Sequence, residues 1–174
     1  MSAIFSECGK YRYRLERHIG EGPPLGFILH NPSTAGATAD DATSRRGIGF
    51  ARDLGYGRLI FVNPWAWVAT KPRELWGAED AIGPENDAHI RSVVAEVSRN
   101  GGMIIAAWGR ISPPAAKRTQ ARARIASLVQ LIEGVGSQLY ALGVNKDRSP
   151  KHPLYVKTDA KPLPWSIYGD SHAL

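Results

Sequence analysis

Two Asn-Pro pairs, each closing a short apolar run, are the residues of this chain best placed for chemistry. Leu25-Gly26-Phe27-Ile28-Leu29 leads into His30-Asn31-Pro32-Ser33-Thr34, and Arg58-Leu59-Ile60-Phe61-Val62 leads into Asn63-Pro64. A proline confines the residue before it to extended or turn backbone. The Asn amide carries both a donor and an acceptor, which suits reading a heterocycle edge or holding a water. Ser33 and Thr34 add hydroxyls fit for a phosphate or a sugar. The plainer alternative is an amide that only satisfies its own turn. Asp40 and Asp41 follow, each a general base, a metal ligand or a helix cap. Trp108-Gly109-Arg110 closes a third apolar run. Glycine there lets a ligand approach the backbone, and Arg110 can grip a phosphate bidentately or sit in a surface salt bridge. His152, between Lys151 and Pro153, can donate to a developing anion or shuttle a proton. Trp65, Trp67 and Trp76 either stack on a base or pack their loop onto the core.

These motifs need strands and helices to bring them together. Tyr11-Arg12-Tyr13-Arg14-Leu15 alternates and reads as an edge strand. The runs at 25–29, 58–62, 103–108 and 139–142 read as strands covered on both faces. Helices are predicted at about 43–54, 86–99 and 113–133, the last carrying Lys117, Arg118, Arg122 and Arg124 in its N-terminal half. Residues 153–156 read as a short extension and the tail beyond Lys157 as irregular. Arg45 and Arg46 fall in the first turn of the first helix, where cations oppose the dipole. They therefore need another partner, either a bound anion or Asp40 and Asp41. Strands alternating with helices predict an α/β fold. The expected form is a three-layer α/β/α sandwich, with a mostly parallel central sheet of about four strands and an N-terminal edge strand. Ligands of such sheets sit at the carboxyl ends of the strands, where the polar motifs fall.

The chain has 174 residues, which fits a single domain spanning 1–174. Its lone cysteine, Cys8, excludes an internal disulfide and a cysteine-rich metal site. No apolar run approaches the ~18 residues of a membrane span, and the first residues do not read as a signal peptide. A cytoplasmic protein with no membrane contact is expected. The formal charge of +6 favours anionic partners, nucleic acid or nucleotide. Phosphate-loop, dinucleotide and nucleophile-elbow patterns are missing from the sequence, and no cofactor or metal is expected from motif spacing. The oligomeric state is left open.

The residues Tyr11-Arg12-Tyr13-Arg14-Leu15, His30-Asn31-Pro32-Ser33-Thr34, Asp40-Asp41, Val62-Asn63, Gly83-Pro84-Glu85-Asn86-Asp87, Ala107-Trp108-Gly109 and Lys151-His152-Pro153 resemble, in order, a bacterial and phage family, domain of unknown function 1643. More distantly, the order of strand-end motifs is similar to the uracil-DNA glycosylase superfamily. That resemblance implies a glycosylase-like fold. In it Asn31 positions water, Asn63 reads the base, Trp108-Gly109 closes a later strand, and His152 hydrogen-bonds to the departing base. The sequence departs from the superfamily at Asn31, where stronger catalysts carry a carboxylate, and at Leu154, where a serine is usual.

Three functions follow as expectations. The first is an N-glycosylase on a damaged or modified base, with Asn31, Asp40, Asp41 and His152 catalytic. Pro32, Ser33, Thr34, Arg45, Arg46, Asn63, Trp108, Gly109 and Arg110 would then bind substrate. The second is a nucleic-acid or nucleotide binder without turnover, using the same cleft. The third is a hydrolase or transferase on a free nucleotide, with Asp40, Asp41 and Asp87 available to a metal.

Overall fold

The computed structural model describes residues 1–33, 36 and 38–169. Its centre is four parallel strands: β3 (Pro24–Ile28), β4 (Arg58–Val62), β5 (Met103–Ala106) and β6 (Leu139–Ala141). Three further strands pair antiparallel around them: β1 (Ser2–Phe5), β2 (Arg12–His18) and β7 (Leu163–Pro164). The result is one mixed seven-stranded sheet in the order β1-β2-β4-β3-β5-β6-β7.

This corrects the expectation of a mostly parallel sheet of about four strands with one added edge. The strand expected at Tyr11 to Leu15 begins at Arg12 and is not an edge, because Ser2–Phe5 pairs along its outer side. The tail is not wholly irregular, because Leu163 pairs with Ala141. A proline at Pro164 is compatible with an edge strand, where a missing N–H need not cost a ladder bond.

Alternation along the parallel strands separates two cores. Leu25, Phe27, Leu59, Phe61, Ile105 and Ala107 face Phe50 and Ala51 of helix α1 (Ala42–Asp53). Ile28, Ile60, Val62, Ile104 and Ala106 face the opposite layer. That layer is formed by α3 (Asn86–Arg99) and α4 (Arg118–Gly134), with a short α2 (Pro72–Leu75) in the preceding connection. Both faces of β3 are covered, and all five of its residues are buried, which accounts for its unbroken apolar run. α4 starts later than expected, because Pro113 and Pro114 precede a single 3₁₀ turn at Ala115–Lys117.

The strand order makes a switch point. From β3 the chain crosses through α1 to β4 on one side, then returns through α3 to β5 on the other. Connections leaving on opposite sides open a crevice at the carboxyl ends of β3 and β5.

One irregularity bears on that crevice. The β1–β2 register pairs Ile4 with Arg14 but Phe5 with Arg12, so Tyr13 is an extra residue on β2. Such a bulge moves the residues before it to the other face. Tyr13 stacks on His89 and Arg14 binds Glu96, both on α3. Arg12 joins Leu15 in the crevice wall.

Candidate functional site

The crevice is a cleft of about 690 Å³, within the range of small-ligand sites. Its walls come from the end of β3 (Leu29, His30, Asn31, Ser33), the start of α1 (Asp41, Ser44), the end of β5 (Trp108, Gly109, Arg110) and the loop through His152, Leu154 and Tyr155. Arg12 and Trp76 complete it.

At the end of β3 the side chains interlock. The Asn31 amide donates to the carbonyls of Pro32 at 2.9 Å and Ala69 at 3.0 Å. Its Oδ1 faces His30 Nδ1 at 2.9 Å. Asn31 therefore spends its amide on His30 and on the backbone. The His30 ring packs against Trp65 and Trp76, with centroids 5.1 and 6.1 Å away. Burial pushes its pKa below the ordinary histidine value, against the Asn31 contact, which favours the charged ring.

Asp41 serves two purposes. Its Oδ1 caps α1 by accepting from the Ser44 N–H at 2.7 Å and the Ser44 hydroxyl at 2.9 Å. Its Oδ2 accepts from the Ser33 hydroxyl. Burial on its own would raise this carboxyl's pKa. The bonds from Ser33 and Ser44 and the charge of Arg12 outweigh burial and hold it below the ordinary value. Arg12 is itself buried, which lowers its pKa to about 10, so the cleft holds a cation beside a carboxylate at neutral pH.

His152 precedes a 3₁₀ turn at Pro153–Tyr155, where a strand extension was expected. The proline opens the turn, and His152 Nδ1 accepts from the Leu154 N–H at 3.4 Å. Burial and the neighbouring His30 push the His152 pKa down to about 4, with Asp41 opposing. The ring is therefore neutral at pH 7 with its proton on Nε2, a donor without charge. Two contacts seat this turn. Gly109 has φ +73°, and a Cβ there would lie 3.2 Å from His152 Cβ. Arg46 donates to the carbonyls of Pro153 and Val156, with its guanidinium 4.8 Å from the centroid of the Phe50 ring.

The structure thus brings together Asn31, Ser33, Asp41, Trp108, Gly109, Arg110 and His152. Several other expected residues lie apart. Asp40 binds the fully buried Arg17 at 2.7 Å. Arg45 donates to the Asp40 carbonyl at 2.7 Å, so Arg45 and Arg46 both bond backbone carbonyls. Pro32 is buried, and its carbonyl also receives the Ala69 N–H at 3.0 Å. Asn63 is buried off the cleft, its carbonyl held by Asn86 at 2.9 Å. Thr34 lies outside the described residues. Asp87 pairs with Arg124 at 2.6 Å, so Asp40, Asp41 and Asp87 do not gather. Among the described residues no group of three or more His, Cys, Asp or Glu is placed to hold a metal, and no helix is long and apolar enough to cross a membrane.

Sequence reasoning missed His30 and Arg12. His30 stands directly after a wholly apolar run, a signal comparable to that of Asn31. Arg12 has no such signal, because the bulge at Tyr13 is set by pairing.

A second cleft adjoins the first across Trp108, Arg110 and Ser112. Arg110, Arg118, Arg122 and Arg148 line it, with Asp147 the one acid among its described lining residues. Asp147 lies 3.4 Å from Arg110. Trp108 and Trp165 form its floor edge to face, 5.3 Å apart. Arg124 does not contribute. It is buried and donates to the Pro64 carbonyl at 2.7 Å.

Fold and cleft define an α/β protein whose site gathers at the carboxyl ends of its parallel strands. Residues 12–154 match the family model described as protein of unknown function (DUF1643), and the chain belongs to that family. No curated protein and no solved structure matches it.

Proposed function

We propose that this is a nucleobase-directed protein of glycosylase-like fold that hydrolyses an N-glycosidic bond in a nucleic-acid strand. One observation carries the reading. A carboxylate held ionised and an uncharged imidazole donor line the same aromatic-walled cleft at the strand ends. In the reaction the bond from C1′ to the base nitrogen breaks, and its electron pair leaves with the base. Water adds to C1′, and its released proton balances the base. Asp41 is a weak base at its lowered pKa, so its contribution is negative charge beside the sugar as that becomes cationic. His152 Nε2–H donates to the departing base, as a neutral imidazole can. Trp76 and Tyr155 line the cleft, where they would flank the base. The arginines of the second cleft suit the phosphates on either side, and this favours a strand over a free nucleotide.

The test is base release from single-stranded and duplex oligonucleotides carrying a panel of modified bases, with protein in excess. Release that falls at least 100-fold in Asp41→Asn and His152→Gln supports the reading. No release from any substrate overturns the hydrolysis. A second reading, binding without turnover, is favoured by the Asn31 amide, which is spent internally rather than offered to a water. It predicts salt-dependent binding of the same oligonucleotides with no product.

A further inference from the structure

The amide of Asn31 fixes more than a turn. Both of its contacts through Nδ2 are backbone carbonyls, which only accept, so the amide can sit one way round. Its oxygen then faces His30 Nδ1. An amide oxygen cannot donate, so Nδ1 carries the hydrogen. The ring is buried beside two tryptophans, an environment that disfavours a second proton. The remaining nitrogen, Nε2, is therefore a bare lone pair. It is buried, and no described residue donates to it. A buried acceptor left unfilled destabilises the fold, and such a group in a native fold calls for an explanation. His30 lines the cleft. Across the same cleft His152 has the opposite tautomer, because the Leu154 N–H holds its Nδ1.

We propose that His30 is a specificity-determining residue whose Nε2 accepts a hydrogen bond from an N–H on the ligand's ring edge, with Asn31 as the positioning residue that fixes this tautomer. Together with the His152 donor, the cleft selects a heterocycle that presents an N–H and an acceptor. Nucleobases with a ring imide or an exocyclic amine do so, and forms with every such N–H replaced by alkyl do not. This rests on the nucleobase reading above and names the edge that is read.

The experiment uses the full chain with ¹⁵N-labelled histidine and two-bond ¹H–¹⁵N spectra, the His30 and His152 signals being assigned from His30→Gln and His152→Gln. The free protein is expected to show His30 protonated on Nδ1 and His152 on Nε2. The probes are uridine, adenosine and cytidine, each beside an analogue with no N–H left on that edge: the N-methyl imide of uridine and the dimethylamino forms of adenosine and cytidine. A probe with its N–H should shift the His30 Nε2 resonance and bind at least 10-fold more tightly than its methylated partner. His30→Gln should abolish that preference. Asn31→Ala, checked as folded by its melting curve, should mix the His30 tautomers and weaken the preference. His30 found protonated on Nε2 overturns the proposal. So does a nucleoside that moves His152 but leaves His30 Nε2 unchanged and binds as well when methylated, while the nucleobase reading stands. If neither nucleosides nor oligonucleotides bind, the nucleobase reading fails and the proposal with it.

Discussion

Replacing Arg46 with methionine should loosen the His152 turn without unfolding the domain. Arg46 is half-buried on α1 and bonds two carbonyls of the chain just beyond His152. Methionine keeps an unbranched side chain, and removes the donors together with the guanidinium that lies over Phe50. A hydrogen bond to a charged group is worth about 1.5–3 kcal/mol. The freed carbonyls regain water and the site is partly exposed, so the two bonds together are set at about 2 kcal/mol. At 1.4 kcal/mol per tenfold, that is about a 30-fold rise in local opening. Amide hydrogen exchange reads it directly at Tyr155, whose N–H is held by the His152 carbonyl at 2.9 Å. Exchange in β3 and β5 should stay as in the wild type, since local and global opening are separate events. Arg45→Met is the control. That side chain is exposed with one backbone bond, and its loss should leave Tyr155 unchanged. Wild-type exchange at Tyr155 in a folded Arg46→Met protein would refute the idea that Arg46 seats the turn.

Three further outcomes follow from the same geometry. Gly109→Ala forces a side chain into left-handed backbone, about 1–2 kcal/mol, and crowds His152. Its melting temperature should fall by about 2–8 °C, with the His152 ring resonances displaced, and an unchanged melt would deny the close approach. Arg17→Met removes a fully buried guanidinium that bonds Asp40 and the carbonyls of Glu16, Gly36 and Ala39. Breaking such a group costs about 3–5 kcal/mol, so calorimetry should show a drop of about 6–20 °C, and a drop under about 3 °C would refute it. The third concerns pH. The folded pKa of His152, about 4, lies below the unfolded value of about 6.5. Between these values the unfolded chain binds more protons, so stability is full above the upper value and is lost as pH falls toward the lower. His30 shifts in the same direction. His152→Gln should therefore lose less melting temperature than the wild type between pH 7 and about pH 4.5. Parallel curves would show that the imidazole is not held neutral.

The parallel centre of the sheet was legible because its strands are covered on both faces and carry no polar interruption. Arg58–Val62 matches the expected run at both ends. The flanking strands were not. Ser2–Phe5 and Leu163–Pro164 are short, exposed and defined by their partners. At the site, chain order was enough to bring the ends of β3 and β5 together with the His152 loop. Asn63 has the same Asn-Pro context as Asn31 yet is buried off the cleft, with its backbone carbonyl held by Asn86 of α3. Local sequence cannot distinguish the two. Nor can it show that Asp41 both caps and faces the cleft, since that depends on where α1 begins.

The bulge at Tyr13 lets β2 grip two layers at once. Arg12 and Arg14 already take successive places against Phe5 and Ile4, so a chain without Tyr13 would keep Arg12 on the cleft face and Arg14 on the α3 face. What the surplus residue adds is a second side chain toward α3, stacked on His89. The charge of the cleft is thus indifferent to this insertion, while the seat of α3 on the sheet depends on it. A deletion at Tyr13 would be read in the packing of α3 before it was read in the site.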